Sequence, residues 1–305
     1  MIVIVAPGQG SQTPGFLEPW LADTAARERL QQFSDAIDVD LVAHGTVSDA
    51  DTIRDTAVAQ PLIVASGLLT LDALLDGVEP GRVGGIAGHS VGEVTAAAGA
   101  GILTSDDALK LVAERGRAMA DAAALEPTGM SAVLGGDEAA LLERLDALGL
   151  SPANFNGGGQ IVVAGPLSAL AALAGDPLPG TRVVPLQVAG AFHTRFMQPA
   201  VARLELVAAG LDKRDPSLPI WTNRDGSRIE NGEAFVKLLV GQVSSPVRWD
   251  LTMGSLAEAG VTGIIELAPA GALVGLARRG LKGVPSVAVK TPDDITKAHE
   301  LLASA

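Results

Sequence analysis

The sequence predicts an α/β protein with a mainly parallel sheet and a small inserted subdomain. Short runs of apolar and β-branched residues alternate with longer helical stretches, which is typical of parallel strands joined by helices. One stretch breaks this alternation with the order strand, helix, strand, strand, helix, strand, as in a ferredoxin-like unit. We expect this unit at residues 125–192 and a larger core at 1–124 and 193–305, with a substrate cleft between them.

The strands of the two units are predicted from runs that are apolar and bounded by Gly, Pro or polar residues. The core strands are predicted at 2–6, 83–87, 264–267 and 287–289. The inserted unit is predicted to have strands at 129–135, around residue 154, at 160–165 and at 182–188, with helices at 137–148 and 167–174.

Composition limits the class of protein. The chain has 305 residues, of which 48% are hydrophobic, and a formal net charge of −13. This charge argues against nucleic acid or an anionic membrane as the main partner. Cysteine is absent, so serine would carry any covalent chemistry. No basic leader and no unbroken apolar run of membrane-spanning length is found, which predicts a soluble, cytoplasmic protein without a membrane partner.

The segment G-H-S-V-G at 88–92 is a candidate nucleophile elbow. It lies between an apolar run and an Ala-rich helical stretch, which is the strand–turn–helix context that this pattern requires. Gly88 and Gly92 would permit the tight turn that exposes the Ser90 hydroxyl, and the Val91 amide could stabilise an oxyanion from the helix N-terminus. An incidental serine in a Gly-rich turn is the alternative.

A serine nucleophile needs a base, and the chain has four histidines. His89 adjoins the serine, so we expect its side chain to point away and to serve packing or capping. His44 and His299 are expected to be solvated. His193 follows A-G-A-F at the junction of the two predicted units, where a cleft residue would lie, and is the favoured base.

The loop G-Q-G-S-Q at 8–12 follows the first predicted strand. It lacks the third glycine of a dinucleotide-binding loop, because Thr13 and Pro14 follow, so no cofactor is expected. The loop could instead supply a second oxyanion amide opposite Val91, or it could be a plain tight turn.

The helix predicted at 106–124 carries an arginine on its apolar face. Residues 108, 111, 112, 119 and 122 form a stripe at helical spacing that only Arg115 interrupts, whereas Arg117 lies on the charged face. A half-buried guanidinium needs an anionic partner, and its planar fork fits a carboxylate. A structural salt bridge is the alternative.

Seven features, taken in order along the chain, resemble the malonyl-CoA:acyl carrier protein transacylases of the discrete bacterial type. They are P-G-Q-G-S-Q at 7–12, A-Q-P at 59–61, G-H-S-V-G-E at 88–93, Arg115, N-F-N-G-G-G-Q at 154–160, G-A-F-H at 190–193 and S-P-V-R-W at 245–249. Individually several are weak, but the ordered set covers nearly the whole chain.

The resemblance implies an α/β-hydrolase-like core with a ferredoxin-like insert. It implies transfer of malonyl from malonyl-CoA to acyl carrier protein through a malonyl-serine, for fatty acid synthesis and with polyketide synthesis left open, without a cofactor or metal. It implies that Ser90 is the nucleophile, that His193 is the base and that the Gln242 carbonyl orients His193. The amides of Gln9 and Val91 would form the oxyanion hole, and Arg115 would bind the malonyl carboxylate. Further substrate contacts are implied for Gln60, Asn156 and Phe192.

Two other functions remain compatible with the sequence. A serine esterase or thioesterase on the same fold would share the elbow but would not need the buried arginine. A catalytically silent scaffold could bind carrier protein without chemistry. For carrier-protein docking, the cluster Arg278, Arg279 and Lys282 is the candidate patch, with a solvated charge run as the alternative.

Overall fold

The computed structural model describes residues 1–79 and 81–304. Its larger sheet has six strands in the order β11-β10-β1-β2-β7-β8, all parallel except the edge strand β8. These strands are β1 (Ile2–Ala6), β2 (Val83–Gly88), β7 (Ile220–Trp221), β8 (Arg228–Ile229), β10 (Gly263–Glu266) and β11 (Ser286–Ala288). The predicted α/β class with a mainly parallel sheet is confirmed.

The smaller sheet has the order β6-β3-β5-β4-β9. Its strands are β3 (Thr128–Gly135), β4 (Ser151–Gly157), β5 (Gln160–Pro166), β6 (Thr181–Pro185) and β9 (Val247–Arg248). The first four form antiparallel pairs and alternate with helices α6 (Glu138–Leu148) and α7 (Leu167–Gly175), as expected for a ferredoxin-like insert. Strand β9 comes from the segment assigned to the core and pairs parallel with β4. The exact limits of the two units stay a prediction.

Ten further helices pack around the larger sheet. They are α1 (Thr24–Ile37), α2 (Leu41–Thr46), α3 (Thr56–Leu75), α4 (Gly92–Gly99), α5 (Ser105–Ala123), α8 (Gln198–Ala209), α9 (Gly232–Gly241), α10 (Trp249–Glu258), α11 (Ala272–Gly280) and α12 (Asp294–Ala303). Polar side chains cap the starts of several of them. The side chains of Asp55, Thr104 and Asn231 accept backbone N–H groups in the first turns of α3, α5 and α9.

Helix α3 is long and apolar enough, by length and composition alone, to cross a membrane. However, 78% of its apolar window is buried inside the protein, where α3 packs against α4 and α5. Helix α3 is therefore a buried core helix of the larger unit.

The topology brings three loops to one edge of the larger sheet. Strands β1, β2 and β7 are parallel neighbours, so the loops that follow them start at the same carboxyl edge. Gln9 follows β1, Ser90 follows β2 and Asn223 follows β7. This edge is therefore where side chains from distant parts of the sequence can meet.

Candidate active site

Ser90 lies on a strained turn between β2 and α4. Its φ of 54° is in the left-handed region, which is costly for a residue with a Cβ. The flanking glycines are required for steric reasons. A Cβ at Gly88 would lie 2.1 Å from the backbone of Gly92, and one at Gly92 would lie 2.2 Å from the carbonyl oxygen of Ala6. The turn thus has the geometry of a nucleophile elbow.

His193 is placed to accept the proton of the Ser90 hydroxyl. Its Nε2 is 2.6 Å from Ser90 Oγ, and its Nδ1 is 2.9 Å from the carbonyl oxygen of Gln242. Because a carbonyl only accepts, Nδ1 carries the proton and Nε2 is the free base. Burial first, and the charge of Arg115 second, lower the pKa of His193 to about 3, so the ring is neutral at physiological pH.

The amides of Gln9 and Val91 border the same space. Both residues line the cavity above Ser90, and Val91 directly precedes α4. Within residues 1–79 and 81–304, neither N–H donates to another group. Two unpaired amides beside a serine hydroxyl, one of them at a helix N-terminus, are suited to bind a developing oxyanion.

Arg115 is more deeply buried than the sequence suggested. It is 1% exposed and lies on the buried face of α5, as the stripe predicted, while Arg117 is exposed beside Glu114. Its two terminal nitrogens donate to Gln60 Oε1 at 2.6 Å and to Gln242 Oε1 at 2.8 Å. The second of these nitrogens is also 3.5 Å from Ser90 Oγ.

The guanidinium keeps its charge and retains unused donors. Burial lowers the pKa of Arg115 to about 10, and Glu93 opposes this shift. The two glutamine oxygens occupy only part of its N–H fork, and Nε has no partner in the part of the chain that the structure describes. A carboxylate entering near Ser90 would therefore find a cation with neutral neighbours.

A cavity of about 360 Å³ opens above Ser90 between the two sheets. Its lining includes residues from the core and from the smaller sheet, among them the predicted contacts Gln60, Asn156 and Phe192. Asn156 Oδ1 is 2.9 Å from His89 Nε2, which links the two units across the cavity. The nine residues to which the resemblance assigns a catalytic or substrate-binding role thus all line this cavity or contact a residue that lines it.

Expectations for the other histidines were partly wrong. His89 packs edge-on against Trp249, as expected, and it is also among the residues that line the cavity. His44 and His299 are half-buried, with ring nitrogens near Ser48 Oγ at 3.0 Å and the Leu74 carbonyl oxygen at 2.8 Å. These hydrogen bonds indicate a structural role for both histidines, and neither residue lines the cavity above Ser90.

Sequence reasoning missed Glu93 and Asn223. Both are buried, and Asn223 Oδ1 accepts the Ser90 N–H at 2.7 Å. Burial raises the pKa of Glu93 to about 8, against hydrogen bonds from Asn223 and the charge of Arg115. A signal did exist, because Glu93 is the one charged residue in the apolar stretch 91–98, and Asn223 closely follows the apolar run 218–221.

Comparisons with known proteins identify the family of this chain. The family model described as "Acyl transferase domain" matches residues 3–297. A "Malonyl CoA-acyl carrier protein transacylase" from Mycobacterium tuberculosis (strain H37Rv) is 50% identical over 302 residues, which cover 99% of this chain and 100% of the relative. The chain belongs to the malonyl CoA-acyl carrier protein transacylase family.

Solved structures of this family share the whole fold. The crystal structure of MCAT from M. tuberculosis is 50% identical, with a TM-score of 0.93 and coverage of 98% of this chain and 99% of that one. A type II PKS acyl-carrier protein in complex with its malonyl-transacylase gives a TM-score of 0.92 at 29% identity, covering 98% and 99% of the two chains. The fold of this chain over nearly its whole length is therefore the fold of these solved structures.

Proposed function

We propose that this protein transfers the malonyl group of malonyl-CoA to the phosphopantetheine thiol of acyl carrier protein. The observation that carries the proposal is the buried Arg115, whose guanidinium lies 3.5 Å from the Ser90 hydroxyl that is paired with His193. A serine–histidine pair alone would serve acyl transfer of many kinds. The adjacent cation selects an acyl group that has its own carboxylate.

In the first half-reaction, Ser90 Oγ attacks the thioester carbonyl carbon while His193 Nε2 takes the hydroxyl proton. The carbonyl oxygen becomes an oxyanion, which the amides of Gln9 and Val91 bind. When the carbon–sulfur bond breaks, His193 returns the proton to the departing coenzyme A thiolate. The product is a malonyl ester of Ser90.

Arg115 binds the malonyl carboxylate during both half-reactions. In malonyl, a single methylene separates the carboxylate from the reacting carbonyl, so the cation must lie next to the nucleophile. Its position beside Ser90 Oγ meets this requirement. Acetyl, which lacks the carboxylate, would leave the buried guanidinium without its ligand.

In the second half-reaction, the carrier-protein thiol gives its proton to His193 and attacks the ester carbonyl. Collapse of the second tetrahedral intermediate returns the proton to Ser90 and releases malonyl-carrier protein, which completes a ping-pong cycle. No metal or redox cofactor takes part in these steps. The proposed substrates, malonyl-CoA and carrier protein for fatty acid synthesis, support a cytoplasmic location.

The carrier protein would dock near the last turn of α11. Arg278 and Arg279 occupy this turn, and Lys282 follows it. Arg279 also lines the cavity and donates to Gln160 Oε1 at 2.9 Å, so this residue of the cluster borders the site. Although the whole chain carries a net charge of −13, a local basic cluster would suit an acidic partner.

Incubation with radiolabelled malonyl-CoA, followed by addition of holo-acyl carrier protein, tests the proposal. We expect stable labelling of the protein and then transfer of the label to the carrier protein. Rapid release of free malonate would instead identify a hydrolase. If the protein is not labelled at all, a scaffold that binds carrier protein without catalysis would be the remaining function.

A further inference from the structure

The side chain of Asn223 holds the strained elbow at two backbone positions. Asn223 Oδ1 accepts the N–H of Ser90, and Asn223 Nδ2 donates to the carbonyl oxygen of Gly88, each at 2.7 Å. One amide thus binds the backbone on both sides of the residue with the left-handed φ. Such a conformation persists only when its surroundings fix it.

Asn223 is itself fixed by Glu93. The backbone N–H of Asn223 donates to Glu93 Oε1 at 2.6 Å, and Asn223 is fully buried. Glu93 lies in the first turn of α4, directly below the elbow. The loop after β7 and the helix after β2 are therefore joined through this carboxyl group.

The other oxygen of Glu93 holds the side chain of Gln242. Gln242 Nε2 donates to Glu93 Oε2, and Gln242 Oε1 accepts from Arg115 at 2.8 Å. The carbonyl of the same residue accepts from His193. Gln242 Nε2 also donates to the Ser90 carbonyl oxygen at 3.2 Å and to Asn223 Oδ1 at 3.3 Å. Because an amide has a donor end and an acceptor end, these contacts and the Glu93 contact together determine which end faces Arg115.

We propose that Asn223 and Glu93 are positioning residues of the acyl transfer: Asn223 fixes the nucleophile elbow, and Glu93 fixes Asn223 together with the Gln242 amide that aligns Arg115. Neither residue lines the cavity above Ser90. The inference rests on the proposed function, and it assigns different consequences to the two residues.

Asn223→Ala should slow every acylation at Ser90. The N–H of Ser90 and the carbonyl of Gly88 lose their buried partner, so we expect about a 10- to 100-fold lower rate with malonyl-CoA and with a fluorophosphonate probe alike. The malonyl-to-acetyl ratio should change little, because Gln242 Nε2 keeps Glu93 Oε2 and the Ser90 carbonyl oxygen as acceptors. Asn223→Asp keeps the side-chain shape and the oxygen that accepts the Ser90 N–H. Its acylation rates test the same prediction if the alanine variant does not fold.

Glu93→Gln should affect selectivity instead. A glutamine accepts at one end only, and the backbone N–H of Asn223 cannot turn away, so the donor end would face Gln242. Two donors would then face each other, which would displace the Gln242 amide from its alignment with Arg115 and leave only the Ser90 carbonyl oxygen and Asn223 Oδ1 to hold its donor end. We expect the malonyl-to-acetyl ratio of kcat/KM to fall about tenfold, while fluorophosphonate labelling changes little.

Asn231→Ala is the matched control. It removes an asparagine side chain that caps α9, outside the cavity, so it should lower stability without changing either rate. Folded Asn223 and Glu93 variants with wild-type rates and ratios, measured beside an active wild type, would overturn the inference. A wild type that transfers no malonyl would instead overturn the proposed function.

Discussion

Replacing Arg115 with alanine should remove the preference for malonyl. A bidentate guanidinium–carboxylate contact contributes two hydrogen bonds to charged groups, each worth about 1.5–3 kcal/mol. Their joint loss, about 3–6 kcal/mol, corresponds to about a 100- to 10,000-fold fall in kcat/KM for malonyl-CoA. Acetyl-CoA should not fall, because it makes no such contact and no longer leaves a buried cation unpaired.

The assay is the ratio of kcat/KM for malonyl-CoA and acetyl-CoA, measured for the wild type and three variants. Arg115→Lys should recover only part of the malonyl activity, since a point charge cannot form two parallel bonds. Arg117→Ala is the control, because Arg117 is exposed on the same helix and contacts only Glu114, at 3.5 Å. If Arg115→Ala keeps the wild-type ratio, Arg115 does not bind the malonyl carboxylate.

Folding must be checked for the alanine variant. Removal of the guanidinium leaves the Gln60 and Gln242 oxygens without a donor. This loss destabilises the folded state. A thermal melt of each variant separates this loss from a loss of selectivity, because a stability defect lowers both substrates equally.

Three further predictions concern the base, the pocket and the elbow. His193→Ala should lower the acylation rate strongly and leave residual activity from the oxyanion amides. Because burial keeps the pKa of His193 at about 3, the acylation rate of the wild type should not fall with decreasing pH between about pH 8 and 5. A fall with an apparent pKa near 6.5 would contradict this account. Phe192→Ser should improve methylmalonyl-CoA relative to malonyl-CoA by about 1–3 kcal/mol in competition assays, because Phe192 lines the cavity, and an unchanged ratio would exclude it from selectivity. Gly88→Ala should abolish acylation, since its Cβ would lie 2.1 Å from the backbone of Gly92. Gly254→Ala is the control: the new Cβ would have no neighbour within 4 Å at this exposed position of α10, so Tm should rise slightly. An active Gly88→Ala variant would refute the elbow geometry.

The sequence predicted the parts of the site that depend on local sterics and periodicity. The two glycines around Ser90 indicated a tight turn, and the close contacts at Gly88 and Gly92 give its physical reason. The buried face of α5 placed Arg115 inside the protein. These features can be predicted because each depends on residues within a few positions in the chain.

Contacts between distant segments could not be predicted in the same way. Asn223 follows β7, which has two residues and therefore no readable alternation. Strand β9 is equally short and joins the smaller sheet from a segment assigned to the core. His89 Nε2 lies 2.9 Å from Asn156 Oδ1, which belongs to the other unit. Each of these contacts depends on how segments far apart in the chain pack together.

The most direct test of malonyl transfer through Ser90 is intact-mass spectrometry of the protein after incubation with malonyl-CoA. We expect one malonyl adduct, located on Ser90 by peptide mapping, absent in Ser90→Ala and lost when holo-acyl carrier protein is added. An adduct that persists in Ser90→Ala, or one that the carrier protein does not remove, would contradict the account.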